Sequence, residues 1–337
     1  MVINRILIVG LGSIGRRHLR LGRKIFPQAQ IKVLRHQATD DVPQYSNGCF
    51  STIADAIDFA PQIAVISSPA PFHIGVAQSL ADRGVNLLVE KPLATSMEGV
   101  VRLIATSKRR KIVLVTGYNL RFLPSLQKFR SLLKSGIIGN VFSVRCESGQ
   151  FLPSWRPDSD YRHGVSANKD LGGGVLLELS HELDYLRWIF GEINWVRATL
   201  TRQSDLDINV EDSAHLTLGF EVTDQRQQLV ASVNLDFIRH DSTRLCTVIG
   251  KAGSLRWNGL SGDVQLFKQG SSGWSNVFSH EHNRDDSYIA EWKNFISSVY
   301  GDEIPLVTGE DGFKTLQIIE AAQRSSESGV QVIIENN

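Results

Sequence analysis

The first third of the chain alternates between short apolar runs and amphipathic stretches. Ile3–Val9, Ile31–Leu34, Ile63–Ile66, Val85–Val89 and Ile112–Val115 carry few or no polar residues and do not alternate. Runs of that length without alternation predict strands buried on both faces, as in a parallel sheet. Between them, Ile14–Phe26, Ser51–Phe59, Phe72–Arg83 and Ser96–Arg109 read as helices. Ser51 or Thr52 is placed to cap the second of these, Pro61 follows its end, and Gly84 stands where the third should stop. Strand and helix alternating with short connections predict a doubly wound α/β domain over residues 1–120.

From residue 121 the pattern changes. Pro124–Lys134 is an amphipathic helix ended by Gly136, Val141–Cys146 is a strand, and the Pro-, Asp- and Ser-rich stretch 147–172 reads as a long loop. Val175–Phe190 reads as one helix, with Leu176, Leu179, Leu183, Leu186 and Phe190 as its apolar stripe. Four longer runs follow: Trp195–Thr201, Ser213–Phe220, Gln228–Asp236 and Thr243–Gly250. Ser213, His215 and Thr217 alternate with Ala214, Leu216 and Leu218. Such alternation predicts a mainly antiparallel sheet with one covered and one open face. An open face invites a second copy, so a homodimer or homotetramer through this sheet is expected. The helices Ser287–Tyr300 and Gly309–Ser326 and a short strand, Val330–Ile334, close an α+β domain over 121–337.

Composition adds limits. The 337 residues are 42% hydrophobic and 21% charged, with a net charge of +1, so neither disorder nor nucleic-acid binding is implied. No apolar run is long enough to cross a membrane, the first residues lack the pattern of a secretory signal, and three cysteines are too few for a disulfide framework. A cytoplasmic protein is expected. Residues 1–120 hold 15 Lys+Arg against 7 Asp+Glu, whereas the remainder is acidic. A basic first domain suits a phosphate-bearing ligand, although complementary halves also attract each other.

Gly10-Leu11-Gly12-Ser13-Ile14-Gly15 fits G-x-G-x-x-G between the first strand and the first helix, the context in which the motif carries meaning. The first glycine turns the chain, the second lets backbone approach a pyrophosphate, and the third lets helix and strand pack closely. The N–H groups of the helix start, at Ser13 and Ile14, favour an anion. This predicts a dinucleotide site. Twenty residues past Gly15, where an NAD-preferring site carries an acid, stand Arg35 and His36. Arginine accepts a 2′-phosphate, which favours NADP over NAD. The alternative is a solvated Arg35 with Asp40 or Asp41 on the ribose.

Glu90-Lys91-Pro92 stands at the end of the fourth strand and Gly117-Tyr118-Asn119-Leu120-Arg121-Phe122 at the end of the fifth. Gly172-Gly173-Gly174 leads a helix bearing Glu178-Leu179-Ser180-His181-Glu182-Leu183-Asp184. Together with Ser67-Ser68-Pro69, His73 and the late turn Gly250–Gly253 before Ser254-Leu255-Arg256-Trp257, this series resembles the glucose–fructose oxidoreductase / inositol dehydrogenase (Gfo/Idh/MocA) family over nearly the whole chain. The resemblance implies a Rossmann domain joined to an α/β domain with a large open sheet, and NAD(P)-dependent oxidation or reduction of a sugar, polyol or sugar nucleotide. It implies Lys91 and His181 as catalytic residues, and a Lys91–Pro92 bond of a kind the family often holds in cis. Ser67, Ser68, Pro69, His73, Glu90, Lys91 and Asn119 join the glycine loop as cofactor residues.

Chemistry agrees with that assignment. Ligands of doubly wound sheets lie beyond the carboxyl ends of the strands, where Lys91 and Asn119 fall. Alcohol oxidation needs a group that takes the hydroxyl proton, which a lysine or a histidine can do. Glu178, His181 and Tyr185 share one face of the expected helix, and Glu178 and Tyr185, together with Asn119 and Arg121 after the fifth strand, are expected to contact substrate. Many family members place Asp four residues before the histidine, whereas here Glu178 precedes His181 by three. His181-Glu182 is not a zinc-protease motif, because residue 185 is Tyr, and no metal site is expected, including at His280 and His282. Trp155, Arg156, Tyr161, Arg162 and His163 could stack on a sugar or grip a phosphate, or simply form an ordered surface loop. Two other functions fit the fold: a dinucleotide-sensing protein without catalysis, and a redox-neutral glycosidase or epimerase.

Overall fold

The five apolar runs of the first third become strands of a single six-stranded sheet: β1 (Arg5–Val9), β2 (Gln30–Leu34), β4 (Ile63–Ile66), β5 (Asn86–Glu90) and β6 (Leu114–Gly117), joined by a two-residue strand β3 (Cys49–Phe50) that its length hid from pattern reading. This computed structural model describes residues 2–36, 42–222, 228–281 and 283–335. All pairs in the sheet are parallel and the order is β3-β2-β1-β4-β5-β6, the doubly wound order of a Rossmann domain. Ile6, Leu7, Ile8, Ile63, Ala64, Val65, Leu87 and Leu88 have no exposed surface, which is why their runs show no alternation. The crossovers are α1 (Ser13–Ile25), α2 (Ile53–Asp58), α3 (His73–Ala81) and α4 (Val100–Arg110). Thr52 caps α2, its hydroxyl accepting the Asp55 N–H at 3.2 Å.

The second unit is built on nine strands: β7 (Val141–Gly149), β8 (Ile193–Thr201), β9 (Ser213–Phe220), β10 (Val230–Asp236), β11 (Thr243–Gly250), β12 (Gly253–Asn258), β13 (Asp263–Lys268), β14 (Ser275–Ser279) and β15 (Val332–Ile333). Their order is β14-β13-β12-β11-β7-β10-β9-β8-β15, antiparallel except for the β7–β10 pair. Helix α5 (Pro124–Lys134) covers β12 and β13 on one face, where the Trp257 indole donates to the Ser125 hydroxyl at 3.0 Å. On the other face Arg145, Arg197, His215, Ser232 and Asn234 are exposed, so the expected alternation is real in β7–β10.

The expected helix over 175–190 is two pieces, α6 (Val175–Glu178) and α7 (His181–Phe190). Leu179 leaves helical geometry (φ −100°, ψ 27°), and Glu182 N–H bonds back only three residues, to Leu179. The leucine stripe survives the break: Leu176, Leu179, Leu183, Leu186 and Phe190 are all buried. Sharing of one helix face does not survive it.

The chain divides into Met1–Asn119 with Tyr288–Leu316, and Leu120–Ser287 with Gln317–Asn337. A simple cut after residue 120 therefore misses the return segment. Helix α8 (Asp286–Tyr300) belongs to the first unit from Tyr288 onward because Trp292, fully buried, bonds His18 of α1. Helix α9 (Gly309–Ser328) ends in the second unit, where Ser325 and Ser326 accept N–H groups of β8 at 3.0 and 2.9 Å. No helix of the described residues is long and apolar enough to cross a membrane.

Candidate active site

β1 ends at Val9, and Gly10 turns the chain with φ +84°. A Cβ there would lie 2.7 Å from the Ser68 nitrogen, and one at Gly15 would strike the Gly10 carbonyl, so the fold itself demands these two glycines. Gly12 differs: a Cβ on it would meet nothing of the described residues within 4 Å. Packing does not require Gly12; its bareness leaves room for a ligand at the start of α1, whose first turn carries no acid. A cavity of about 650 Å³ adjoins, lined by Gly10, Leu34, Arg35, His36, Ser68 and Pro69 among others. A second, of about 560 Å³, is lined by Ser13, Arg16, Arg17, Arg20 and Arg35. Ser67 is turned away from both, its hydroxyl donating to the Val9 carbonyl at 2.8 Å. Asp40 and Asp41 lie outside the described residues.

β5 ends at Glu90, and the Lys91–Pro92 bond that follows is cis. Lys91 is half-buried, whereas Glu90 is buried. One Glu90 oxygen accepts the Lys91 main-chain N–H at 3.1 Å and the other lies 2.7 Å from His18 Nε2. His73 is buried between two loops, its nitrogens 2.7 Å from the Ser68 carbonyl and 3.1 Å from that of Pro92. Burial holds its pKa below the ordinary imidazole value, against the raising effect of those two bonds. His73 thus ties the Ser68 loop to the Lys91 loop. Asn119, also buried, opens the turn after β6.

In the second unit Gly173 and Gly174 lie against backbone of the 165–168 turn and the Glu211 carboxylate, leaving no room for side chains. Glu211 accepts the Leu176 N–H at 3.1 Å, and burial raises its pKa. This anchor presents the segment 178–185. Glu178 and His181 retain accessible surface, while Glu182, Asp184 and Tyr185 have essentially none. Asp184 takes a two-pronged bond from Arg121 at 2.9 and 2.6 Å, and Glu182 is bonded by Arg244 Nε at 2.8 Å.

Two assignments from the sequence are corrected here. Arg121 is 2% exposed and spent on Asp184; it is a core ion pair rather than a substrate contact. Tyr185 has no exposed surface; its hydroxyl lies 3.0 Å from Cys146 Sγ and its ring meets Trp257 edge-on, so burial raises its pKa far above the usual phenol value. The Tyr185 expectation followed from treating 175–190 as one helix with a wet polar face; that for Arg121 followed from its place just after β6. The loop aromatics are also structural in part: Trp155 packs edge-on against Phe237, and Arg162 pairs with Asp160 at 2.6 Å. His280 is half-buried beside Phe278, and His282 lies outside the described residues. Sequence reasoning missed His18, Glu291 and Trp292, which gather around Glu90. A glutamate beside Trp292 on the Tyr288, Glu291, Trp292, Phe295 face of an amphipathic helix was the available signal.

Residues 4–118 match the family described as "Oxidoreductase family, NAD-binding Rossmann fold", and residues 130–334 match "Oxidoreductase family, C-terminal alpha/beta domain". The myo-inositol 2-dehydrogenase of Thermotoga maritima is 26% identical, covering 98% of both chains. Among solved structures, levoglucosan dehydrogenase in complex with NADH superposes with a TM-score of 0.85 at 20% identity, over 99% of both chains. The WlbA dehydrogenase of Bordetella pertussis in complex with NADH and UDP-GlcNAcA gives 0.80 at 20% identity, again over 99% of both.

Proposed function

The chain belongs to the Gfo/Idh/MocA oxidoreductase family, and from that premise we propose that it moves hydride between NADP or NAD and a carbinol carbon of a sugar, polyol or sugar nucleotide. The observation that carries this is Lys91 at the end of β5, half-buried, its main chain held by the buried Glu90 carboxylate. The same unit contains the glycine turn and the two cavities. The space at Gly12 suits a pyrophosphate on the N–H groups of Ser13 and Ile14, and the larger cavity suits an adenosine between Arg35, His36 and Pro69. The bound nicotinamide would supply the hydride acceptor or donor.

Lys91 takes the hydroxyl proton during oxidation and returns it during reduction. His181 assists that proton transfer, while Glu178 and Asn119 hold neighbouring hydroxyls. Relatives named for inositol and glucoside dehydrogenation support a polyhydroxylated substrate. The arginine-lined cavity beside Arg35 favours NADP, since a 2′-phosphate needs such a cationic wall. The NADH complexes of the structural neighbours favour NAD. A second copy of the chain covers the open sheet face, and a complement of only three cysteines, Cys49, Cys146 and Cys246, suits the cytoplasm. The test is cofactor reduction measured with a panel of sugars and polyols, each with NAD and NADP. Reduction with at least one sugar or polyol is expected. Retention of cofactor with no reduction across the panel would favour the sensing or redox-neutral alternatives.

A further inference from the structure

The Glu90 carboxylate is the hub of a buried cluster drawn from three elements of the first unit. Trp292 Nε1 of α8 lies 2.9 Å from His18 Nδ1 of α1. An indole N–H only donates, so His18 Nδ1 is the acceptor and the ring proton sits on Nε2. Nε2–H therefore donates to Glu90 Oε1 at 2.7 Å. Glu90 Oε2 accepts the Lys91 main-chain N–H at 3.1 Å, so both oxygens are engaged. Glu291 is 1% exposed, and neither of its oxygens has a hydrogen-bond partner among the described residues. His18, Glu90 and Glu291 each bring an atom within 4.8 Å of the others.

The charges around the cluster decide its state. Tyr288 of α8 meets His18 edge-on at 5.7 Å between centroids, and the Arg17 guanidinium lies over the Tyr288 ring at 4.8 Å. Burial, with Glu90 and Glu291 nearby, pushes the Tyr288 hydroxyl far up, so Tyr288 stays neutral. Two carboxyls thus share a buried site with a neutral imidazole. Burial first, and the Glu90 charge second, push the Glu291 carboxyl well above its ordinary range.

We propose that His18, Trp292 and Glu291 form a buried positioning site for Lys91, in which Glu291 is a resident neutral carboxylic acid and the locked His18 ring holds Glu90 against the Lys91 main chain. The purpose assigned to the site rests on Lys91 being the proton-transfer group; the protonation pattern does not. Glu291 in its neutral form lets Glu90 keep its charge, and with it two charge-assisted bonds. Loss of the Trp292 bond frees His18 to rotate and loosens the segment that aims Lys91.

The test begins on the full protein at neutral pH. Infrared spectra are expected to show the carbonyl band of a protonated carboxylic acid that disappears in Glu291→Gln. Nitrogen-15 spectra of labelled histidine are expected to show a bare Nδ1 and a protonated Nε2 for His18, assigned by its loss in His18→Gln. Trp292→Phe is expected to lower kcat about tenfold, with KM and cofactor Kd changed less than about twofold, because misaim costs turnover rather than binding. Absence of the acid band, a protonated His18 Nδ1, one equivalent of divalent metal retained by the purified protein, or unchanged kcat in Trp292→Phe would each overturn the proposal. Near-normal turnover in Lys91→Met would remove the assigned purpose instead, and persistence of both spectral signatures would distinguish that failure from absence of the site.

Discussion

Each unit buries two carboxylates beside its candidate chemistry, and the two solve the same electrostatic problem differently. In the second unit Asp184 and Glu182 are matched by Arg121 and Arg244, cation against anion. In the first, the groups gathered at Glu90 and Glu291 are a neutral ring, an indole and the Lys91 main-chain N–H. A two-pronged arginine pair has one good geometry and makes a stiff frame. A cluster that relies on a stored proton is tied to pH and to the tautomer of its histidine. The frame underlies Glu178 and His181, proposed to hold substrate and to assist proton transfer; the proton-holding cluster underlies Lys91, the proposed proton-transfer group.

Breaking the frame gives the largest expected effect. Asp184→Asn leaves Arg121 buried beside a neutral partner and should cost about 3–5 kcal/mol, seen as a lowered midpoint in denaturant unfolding. A loss below about 1 kcal/mol would mean that the pair is not a frame. Next, Arg35→Ser should weaken NADPH binding about tenfold or more and leave NADH binding within about twofold, read by fluorescence titration. Equal losses for both would remove the 2′-phosphate argument.

Glu291→Gln probes the stored proton through stability. The folded-state pKa of Glu291 lies above its unfolded value, so the folded protein holds a proton that the unfolded chain has released. Its contribution is complete below the unfolded pKa and declines as pH rises toward the folded one. The variant should therefore lose less Tm than the parent between pH 5 and pH 8, by a few degrees, in thermal unfolding. Parallel profiles would contradict a neutral Glu291. The smallest effect is that of Tyr185→Phe: about 1 kcal/mol of stability from the lost Cys146 contact, with KM unchanged, since the ring has no exposed surface. A raised KM would return Tyr185 to the substrate pocket.

The sheet of the first unit was legible because Ile63–Ile66 and its neighbours are buried on both faces, and uninterrupted apolar runs record that directly. The Gly10–Gly15 turn was legible because its backbone demands are local. β12–β14 were harder: short strands at the edge of an open sheet, such as Ser275–Ser279, carry mostly exposed residues and little pattern. The break at Leu179 was illegible because its stripe stays buried across it, so periodicity gave no warning. The Glu90 cluster was out of reach for another reason. His18 and Trp292 stand 274 residues apart, and nothing local in either segment names the other.

In the proposed reaction Lys91 moves the substrate proton from a main chain fixed by Glu90. The most direct measurement pairs cofactor titration with turnover in Lys91→Met, using the best substrate of the sugar and polyol panel. Cofactor Kd within about twofold of the parent and kcat lowered by about 10²–10⁴ are expected. Turnover within about threefold of the parent, with cofactor still bound, would contradict it.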